Sequence, residues 1–318
     1  MTWLIGVDEA GYGPNLGPLV IAATVWQAPN ALSPSEMYEV LGDAVAVAKA
    51  SRKDDRLLIA DSKQLFTAQK SLAPLERGVH AAAQLLKRDV STWRKLLAEV
   101  GQADADRLAP IPWFAEFDRP LPCGISTADV AADADRLAES LRCAGMQLLD
   151  ARAALLFAGE FNKRLQSGNK SRVLSETTLG LVRDLLPTTP GDVYIVCDKH
   201  GGRDRYAGLL QETFGDLLFR VREESRRRSS YEWEREEGRG LIEFRQGGEE
   251  FLPAALASMH AKYLREITMD AFNAFWRSHD PTLRPTAGYP IDAKRFLQET
   301  VDLRKQLAIA DDLLWRQK

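Results

Sequence analysis

The sequence predicts an α/β protein built on a mixed sheet flanked by helices. Three observations carry that expectation. Two short apolar runs rich in β-branched residues, 3–7 and 19–26, flank a turn dense in Gly and Pro. They are joined too closely for a helical crossover, so they should pair antiparallel. A third run, DVYIVC at 192–197, has the same character and ends on Asp198. Between and after these runs, apolar residues recur at three- and four-residue spacing, which marks helices buried along one face.

Taken in order, helices are expected over 36–50 and 67–99, the second on Leu72, Leu75, Val79, Ala82, Leu85 and Leu86. Periodicity fails from 101 to 127, where Pro110, Pro112, Pro120 and Pro122 fall. With the preceding segment this reads as an insertion around 66–127. A long helix is expected over 128–165, and another over 175–186 opened by the cap-like Ser175-Glu176-Thr177. Residues 217–245 alternate apolar and charged groups around RRRSSYEWEREEGRG, which predicts strands joined by a charged hairpin or flap. Helical spacing returns through Leu252, Leu256, Met259, Tyr263, Ile267 and Phe272. A break at Pro281, Pro285 and Pro290 then precedes a last helix from Asp292. With no internal repeat, 1–318 is expected to be a single domain enlarged by helical and flap insertions.

Composition narrows the function classes. At 45% hydrophobic and 27% charged residues the chain is neither collagenous, nor disordered, nor disulfide-stapled. Forty-two Lys and Arg against 45 Asp and Glu leave a net charge of -3, so any contact with nucleic acid must be local. Cys123, Cys143 and Cys197 are odd in number and far apart, fitting neither a disulfide framework nor a CxxC site. The opening MTWLIGVDEAG has no basic region, and no stretch approaches the roughly 18 apolar residues of a membrane span. A cytoplasmic protein without membrane contact is expected.

Asp8 and Glu9 stand where the first strand leaves the core. An acidic pair there more often just solvates a turn, but Gly6, Gly11, Gly13 and Gly17 surround this one and allow a ligand to approach the backbone. The stretch Gly6-Val7-Asp8-Glu9-Ala10-Gly11-Tyr12-Gly13-Pro14, continuing through Gly17-Pro18-Leu19-Val20, resembles the opening signature of the ribonuclease HII family. Ala60-Asp61-Ser62-Lys63-Gln64-Leu65 is similar to that family's Asp-Ser-Lys segment, and Asp198 to its third acid. Ala255-Leu256-Ala257-Ser258-Met259-His260-Ala261-Lys262 resembles its Ala-Ser helix, and Gly288-Tyr289-Pro290 its Gly-Tyr segment. The likeness covers both ends and the Asp198 region, but little of 66–190.

Three departures accompany it. Tyr12 stands where the family has a basic residue. Gly248 falls where the fourth acid belongs, with Glu249 and Glu250 just after it, and the chain is longer than the family's core. The resemblance implies a ribonuclease H-like mixed sheet carrying a metal-dependent endonuclease. Its substrate would be the RNA strand of RNA–DNA hybrids, or ribonucleotides within duplex DNA, handled by a monomer. Phosphodiester hydrolysis is well served by two divalent cations on oxygen ligands. Asp8, Glu9, Asp198 and Glu249, with Glu250 as substitute for the last, are the expected catalytic carboxylates and ligands of two Mg²⁺ or Mn²⁺ ions. Gly11, Tyr12, Gly13, Lys63, Lys262 and Tyr289 are expected to contact nucleic acid. His200 is a conceivable proton carrier, although a lone loop histidine usually has no such role. Lys163, Arg164, Lys170 and Arg172 form a basic stretch suited to a duplex backbone, whereas Arg226-Arg227-Arg228 reads as a solvated charge run. Two other readings stay open: the same fold cutting another nucleic acid, or a binding protein that no longer cuts.

Overall fold

The computed structural model describes residues 1–51, 54–66, 71–235 and 237–317, with the backbone but not the side chain of Glu249. Its strands are β1 (Thr2–Ala10), β2 (Leu19–Ala28), β3 (Val45–Ala46), β4 (Leu57–Leu58), β5 (Gln147–Leu156), β6 (Val193–Asp198), β7 (Arg220–Glu224), β8 (Arg228–Arg235) and β9 (Gly238–Arg245). Its helices are α1 (Met37–Val40), α2 (Ser62–Phe66), α3 (Ala73–Leu85), α4 (Trp93–Glu99), α5 (Ala105–Leu108), α6 (Pro112–Ala115) and α7 (Thr127–Cys143). They continue with α8 (Ala158–Leu165), α9 (Lys170–Leu185), α10 (Ala207–Phe214), α11 (Leu252–His279), α12 (Pro290–Glu299), α13 (Val301–Gln306) and α14 (Asp311–Leu314).

Among the described residues the main sheet has seven strands in the order β5-β2-β1-β6-β9-β8-β7. β1 and β2 pair antiparallel, as their close connection requires, while β1, β6 and β9 run parallel. β2 is buried along nearly its whole length because helices cover both faces of the sheet. On one face Leu4, Val20, Ala22 and Trp26 pack with α11, α3 and α7. On the other, Ile5, Val7, Ile21, Ile195 and Phe244 pack with α9 and α10. The predicted mixed α/β sheet flanked by helices is therefore the observed architecture.

Several elements differ from expectation. The helix expected over 36–50 amounts to a 3-10 turn and α1, followed by β3. The one expected over 67–99 begins on residues outside the described set and is broken between α3 and α4 by Lys87 in the left-handed region. The long helix expected over 128–165 is α7, then edge strand β5, then α8. Its Ala- and Leu-rich sequence favours helix by propensity, but pairing with β2 from Leu19↔Leu156 to Gln27↔Gln147 overrides that preference. Helix α9 starts at Lys170, not Ser175, and its cap is Asn169, whose side chain accepts from the Arg172 amide at 2.9 Å. The 101–127 stretch contributes Trp113 and Phe114 to the core, against Phe272 and Phe157. The charged 217–245 segment is a strand meander in which Arg228-Ser-Ser-Tyr-Glu-Trp-Glu-Arg235 is itself β8.

One contact sets the register of helix on sheet. A Cβ at Gly6 would lie 2.0 Å from the Ala254 nitrogen, so only glycine lets the start of α11 rest on β1. Thr24 on β2 fastens the same point by donating to the Pro253 carbonyl at 2.7 Å. Gly6→Ala should therefore cost about 3 kcal/mol of stability, as overpacking against backbone does. Urea denaturation measures this, and a variant with an unchanged midpoint would show that α11 is free to lift.

Candidate active site at the ends of β1 and β6

The parallel register places Val7 beside Cys197, so the next residues, Asp8 and Asp198, come level where the two strands leave the sheet. Strand alternation puts both on the α11 side, with Gly6 and Val196 beneath them. Glu9 follows Asp8 directly, and Asp8, Glu9 and Asp198 each offer a carboxylate oxygen within 4.8 Å of the others. Strands that end together at one edge of an α/β sheet are a usual origin of such convergence.

The three carboxylates are partly exposed at the strand ends but crowded by protein and by one another, and the electrostatics are strained accordingly. Burial, then the charge of Asp198, push the Asp8 carboxyl up from 3.8 to about 7; a hydrogen bond from Ser258 and the charge of Lys63 work the other way. Glu9 is held well above the ordinary carboxylate range by burial and by its two acidic neighbours. Lys63 opposes this repulsion: burial weakens its charge, but Asp61, Asp8, Asp198 and Glu9 together hold its ammonium more firmly protonated than usual. Ser258 completes the arrangement. Its hydroxyl lies 2.9 Å from that of Ser62, accepts from the Ser62 amide at 3.3 Å, and is hydrogen-bonded to Asp8, so one hydroxyl joins β1, α2 and α11.

The other sequence candidates are distributed unevenly around this cluster. Gly11 has φ +89°, and an added Cβ there would collide with the Pro18 carbonyl at 2.5 Å and the Arg265 side chain at 2.8 Å. Tyr12 lies against Gly201, with Lys170 4.6 Å above its ring. Tyr289 is half exposed and stands 3.8 Å from where a Gly13 side chain would begin, because Gly288 accepts the amide hydrogens of Asn15 and Leu16. Lys63 faces the acids. Lys262 does not: its ammonium rests on Glu266 at 2.7 Å and over the Phe66 ring at 4.4 Å.

Glu250 is exposed and belongs to a neighbouring cleft with Tyr194, Arg245 and Phe251, and it is absent from the acidic cluster among the described residues. The side chain of Glu249 lies outside the described residues, although its backbone forms the turn Gly248–Glu250. Gly248 is the residue that abuts Asp198, since a Cβ there would sit 3.6 Å from the Asp198 Cα. His200 is buried, bonded to the Ser175 hydroxyl at 3.0 Å and enclosed by Tyr206 and Phe244; burial lowers its pKa to about 3, so it is a packing histidine. In the basic stretch, Arg164 pairs with Glu160, and Arg172 with Glu176 and Glu212. Sequence reading missed the Ser258–Ser62 link, although both residues lie in the segments it singled out.

No family model matches the chain. It is 32% identical over 151 residues to a ribonuclease HII of Azoarcus sp. (strain BH72), a stretch covering 46% of this chain and 68% of that protein. Among solved structures, the ribonuclease H2 of Pyrococcus horikoshii OT3 aligns over 98% of this chain and 92% of its own, at 16% identity and a TM-score of 0.45. The RNase HII of a PCNA complex from Archaeoglobus fulgidus aligns over 99% and 94%, at 14% identity and 0.41. A Mn²⁺ complex of Bst-RNase HIII aligns over 98% and 70%, at 15% identity and 0.37. The chain belongs to the ribonuclease HII family and is a ribonuclease H-type endoribonuclease.

The repulsion at the site makes a stability prediction. Because the Asp8 pKa is raised in the fold, its ionised form is disfavoured there, and stability in chelator should fall as pH rises from about 4 to about 7. Asp8→Asn removes that charge and should melt roughly 2–4 °C higher than the unaltered protein at pH 8 in EDTA. A lower melting temperature in this variant would mean that Asp8 supports the fold instead of straining it.

Proposed function

We propose that the protein is a metal-dependent endonuclease that hydrolyses the RNA strand of RNA–DNA hybrids, or cuts at ribonucleotides embedded in duplex DNA. The observation that carries this reading is the convergence of Asp8, Glu9 and Asp198, in a chain that belongs to a nuclease family. The donor set fits a hard divalent cation such as Mg²⁺ or Mn²⁺: it offers oxygen ligands only, and Lys63 is the nearby positive charge that opposes the mutual repulsion raising Asp8 and Glu9. Asp8, Glu9 and Asp198 would hold the cations, with Glu249 as the fourth carboxylate. When bound, such ions generate a nucleophile from water and stabilise the departing oxygen.

The chain's own residues account for the rest. Ser258 holds the Asp8 carboxyl against α11, and Lys63 lowers part of the cost of charging the acids. The turn Gly11-Tyr12-Gly13, with Tyr289 beside it, presents open backbone and two aromatic rings to a nucleotide strand. Lys170 above Tyr12 brings a cation to the same rim, where the turn itself carries none.

Cleavage assays on an RNA–DNA hybrid, a duplex with one embedded ribonucleotide and an all-DNA duplex, in Mg²⁺ and in Mn²⁺, test the substrate. Cutting of the first two alone supports the reading; cutting of all three moves it to a broader nuclease. Asp198→Asn should lower the rate ~1,000-fold, about 4 kcal/mol of barrier, with unchanged circular dichroism. Glu249→Gln should have a comparable effect, and Glu250→Gln should stay within about twofold, since Glu250 stands outside the cluster. The abutment of Gly248 on Asp198 favours one other reading, a protein that binds duplex without cutting. Binding with no product in either metal would establish that instead.

A further inference from the structure

Beneath the Gly11–Pro14 turn lie two buried arginines from distant parts of the chain. Arg265, on α11, is 2% exposed, and its Nε lies 2.8 Å from where a Gly11 side chain would start. Arg316, just after α14, is 1% exposed and donates from Nη2 to the carbonyls of Gly11 and Pro14, the latter at 2.5 Å. Its guanidinium also covers the Phe161 ring at 5.2 Å.

The segment that delivers Arg316 is anchored on both sides. Asn15 donates to the Arg316 carbonyl at 3.0 Å and accepts its amide through the backbone at 2.8 Å, and Leu16 bridges to Trp315. Asn162 on α8 donates to the carbonyls of Asp312 and Trp315 and accepts from the Gln317 amide.

The charges beneath the turn do not balance. Among the described residues, Glu266 is the carboxylate paired with Arg265, at 3.0 Å, and it is shared with Lys262 at 2.7 Å. Arg316 has backbone carbonyls as its hydrogen-bond partners, and its Nε and Nη1, like the Arg265 Nε, have no hydrogen-bond acceptor among the described residues. Burial and the neighbouring Arg265 both work against the Arg316 charge. Packing alone would favour an apolar residue here, since an uncompensated buried cation costs several kcal/mol. A cation kept in that position is compensated most simply by an anion on the turn above it.

We propose that Arg316 is a positioning residue for substrate: it holds the Gly11–Pro14 turn from beneath and, with Arg265, places a positive charge there that seats a phosphate of the nucleic-acid strand. The inference rests on the nuclease reading above and names the feature of the turn that binds the substrate's backbone.

The test compares Arg316→Met, Arg316→Lys and Asn162→Ala with the unaltered protein. Each is assayed by steady-state cleavage of a labelled RNA–DNA hybrid in Mg²⁺ and by binding of that hybrid in EDTA across a range of salt. Arg316→Met should raise KM roughly tenfold, the worth of one charge-assisted hydrogen bond, with kcat within about twofold. Its log-binding against log-salt slope should also flatten, by up to about one, because a positive charge beneath the turn is gone. Arg316→Lys keeps the charge and should keep the slope. Asn162→Ala loosens the same segment without removing charge, so it should leave the salt slope unchanged and raise KM less than Arg316→Met does.

An unchanged KM in Arg316→Met overturns the proposal, as does a flattened slope in Arg316→Lys. Equal KM changes in Arg316→Met and Asn162→Ala overturn it as well, because they reduce Arg316 to a structural anchor. Should Arg316→Met fail to fold, Arg316→Gln, which keeps hydrogen-bond donors to the turn but not the charge, takes its place: a flattened slope supports the proposal and an unchanged slope overturns it. The unaltered protein reports on the nuclease reading separately: hybrid cleavage by it with unaltered variants leaves that reading standing and sinks only this one.

Discussion

The contact between Gly6 on β1 and the Pro253–Ala254 backbone of α11 is the constraint on which the rest of the site depends. With no side chain at residue 6, helix and strand approach as closely as backbone permits, and Thr24 locks the approach through the Pro253 carbonyl. Two residues beyond Gly6 along the strand comes Asp8, and about one turn beyond Ala254 along the helix comes Ser258. Their hydrogen bond follows from those two rises measured from one fixed point. The same helix carries Arg265 further on, under the glycine turn, with Glu266 paired to it and to Lys262. A single close packing thus indexes the acidic cluster and the cationic group that lies beside it.

These two groups carry opposite electrostatic strain. Three carboxylates meet at the strand ends with Lys63 to offset them, and two guanidinium groups lie under the turn, where Glu266, shared with Lys262, offsets Arg265. Neither arrangement is what folding alone favours, since burying like charges together costs stability. Strain of this kind collects where a protein must receive something of the opposite sign. Under the proposed function, a nucleic-acid strand accompanied by divalent cations would bring both signs at once.

The architecture was legible where local pattern and tertiary fate agreed. The runs at 3–7, 19–26 and 192–197 are strands because they are apolar enough to be buried on both faces, and α11 shows its helical spacing plainly. Residues 147–156 were misread because Gln-Leu-Leu-Asp-Ala-Arg-Ala-Ala-Leu-Leu prefers a helix in isolation. It becomes a strand only because β2 offers an unpaired edge, and Gly145, in the left-handed region after α7, was the one local mark of the stop. In the site, Asp8, Glu9 and Asp198 were found from sequence and do converge, while Lys262 was assigned to nucleic acid but is held by Glu266. The fourth carboxylate of the proposed site follows Gly248, which abuts Asp198, a geometry that no spacing argument resolves.

By itself, then, the sequence determined the mixed α/β class, the family and three of the acids, because each is written in short contiguous patterns. Tertiary structure alone decided that Ser258 would hold Asp8, that Glu250 would line a neighbouring cleft, and that Arg316 would come to lie under a turn some 300 positions earlier in the chain. The physical reason is common to all three. Their roles arise from pairings between segments far apart in sequence, and the pairings are set by how α11 and the residues around α14 pack on the end of β1. A side chain's type is local information, whereas the charge it faces is a property of the fold.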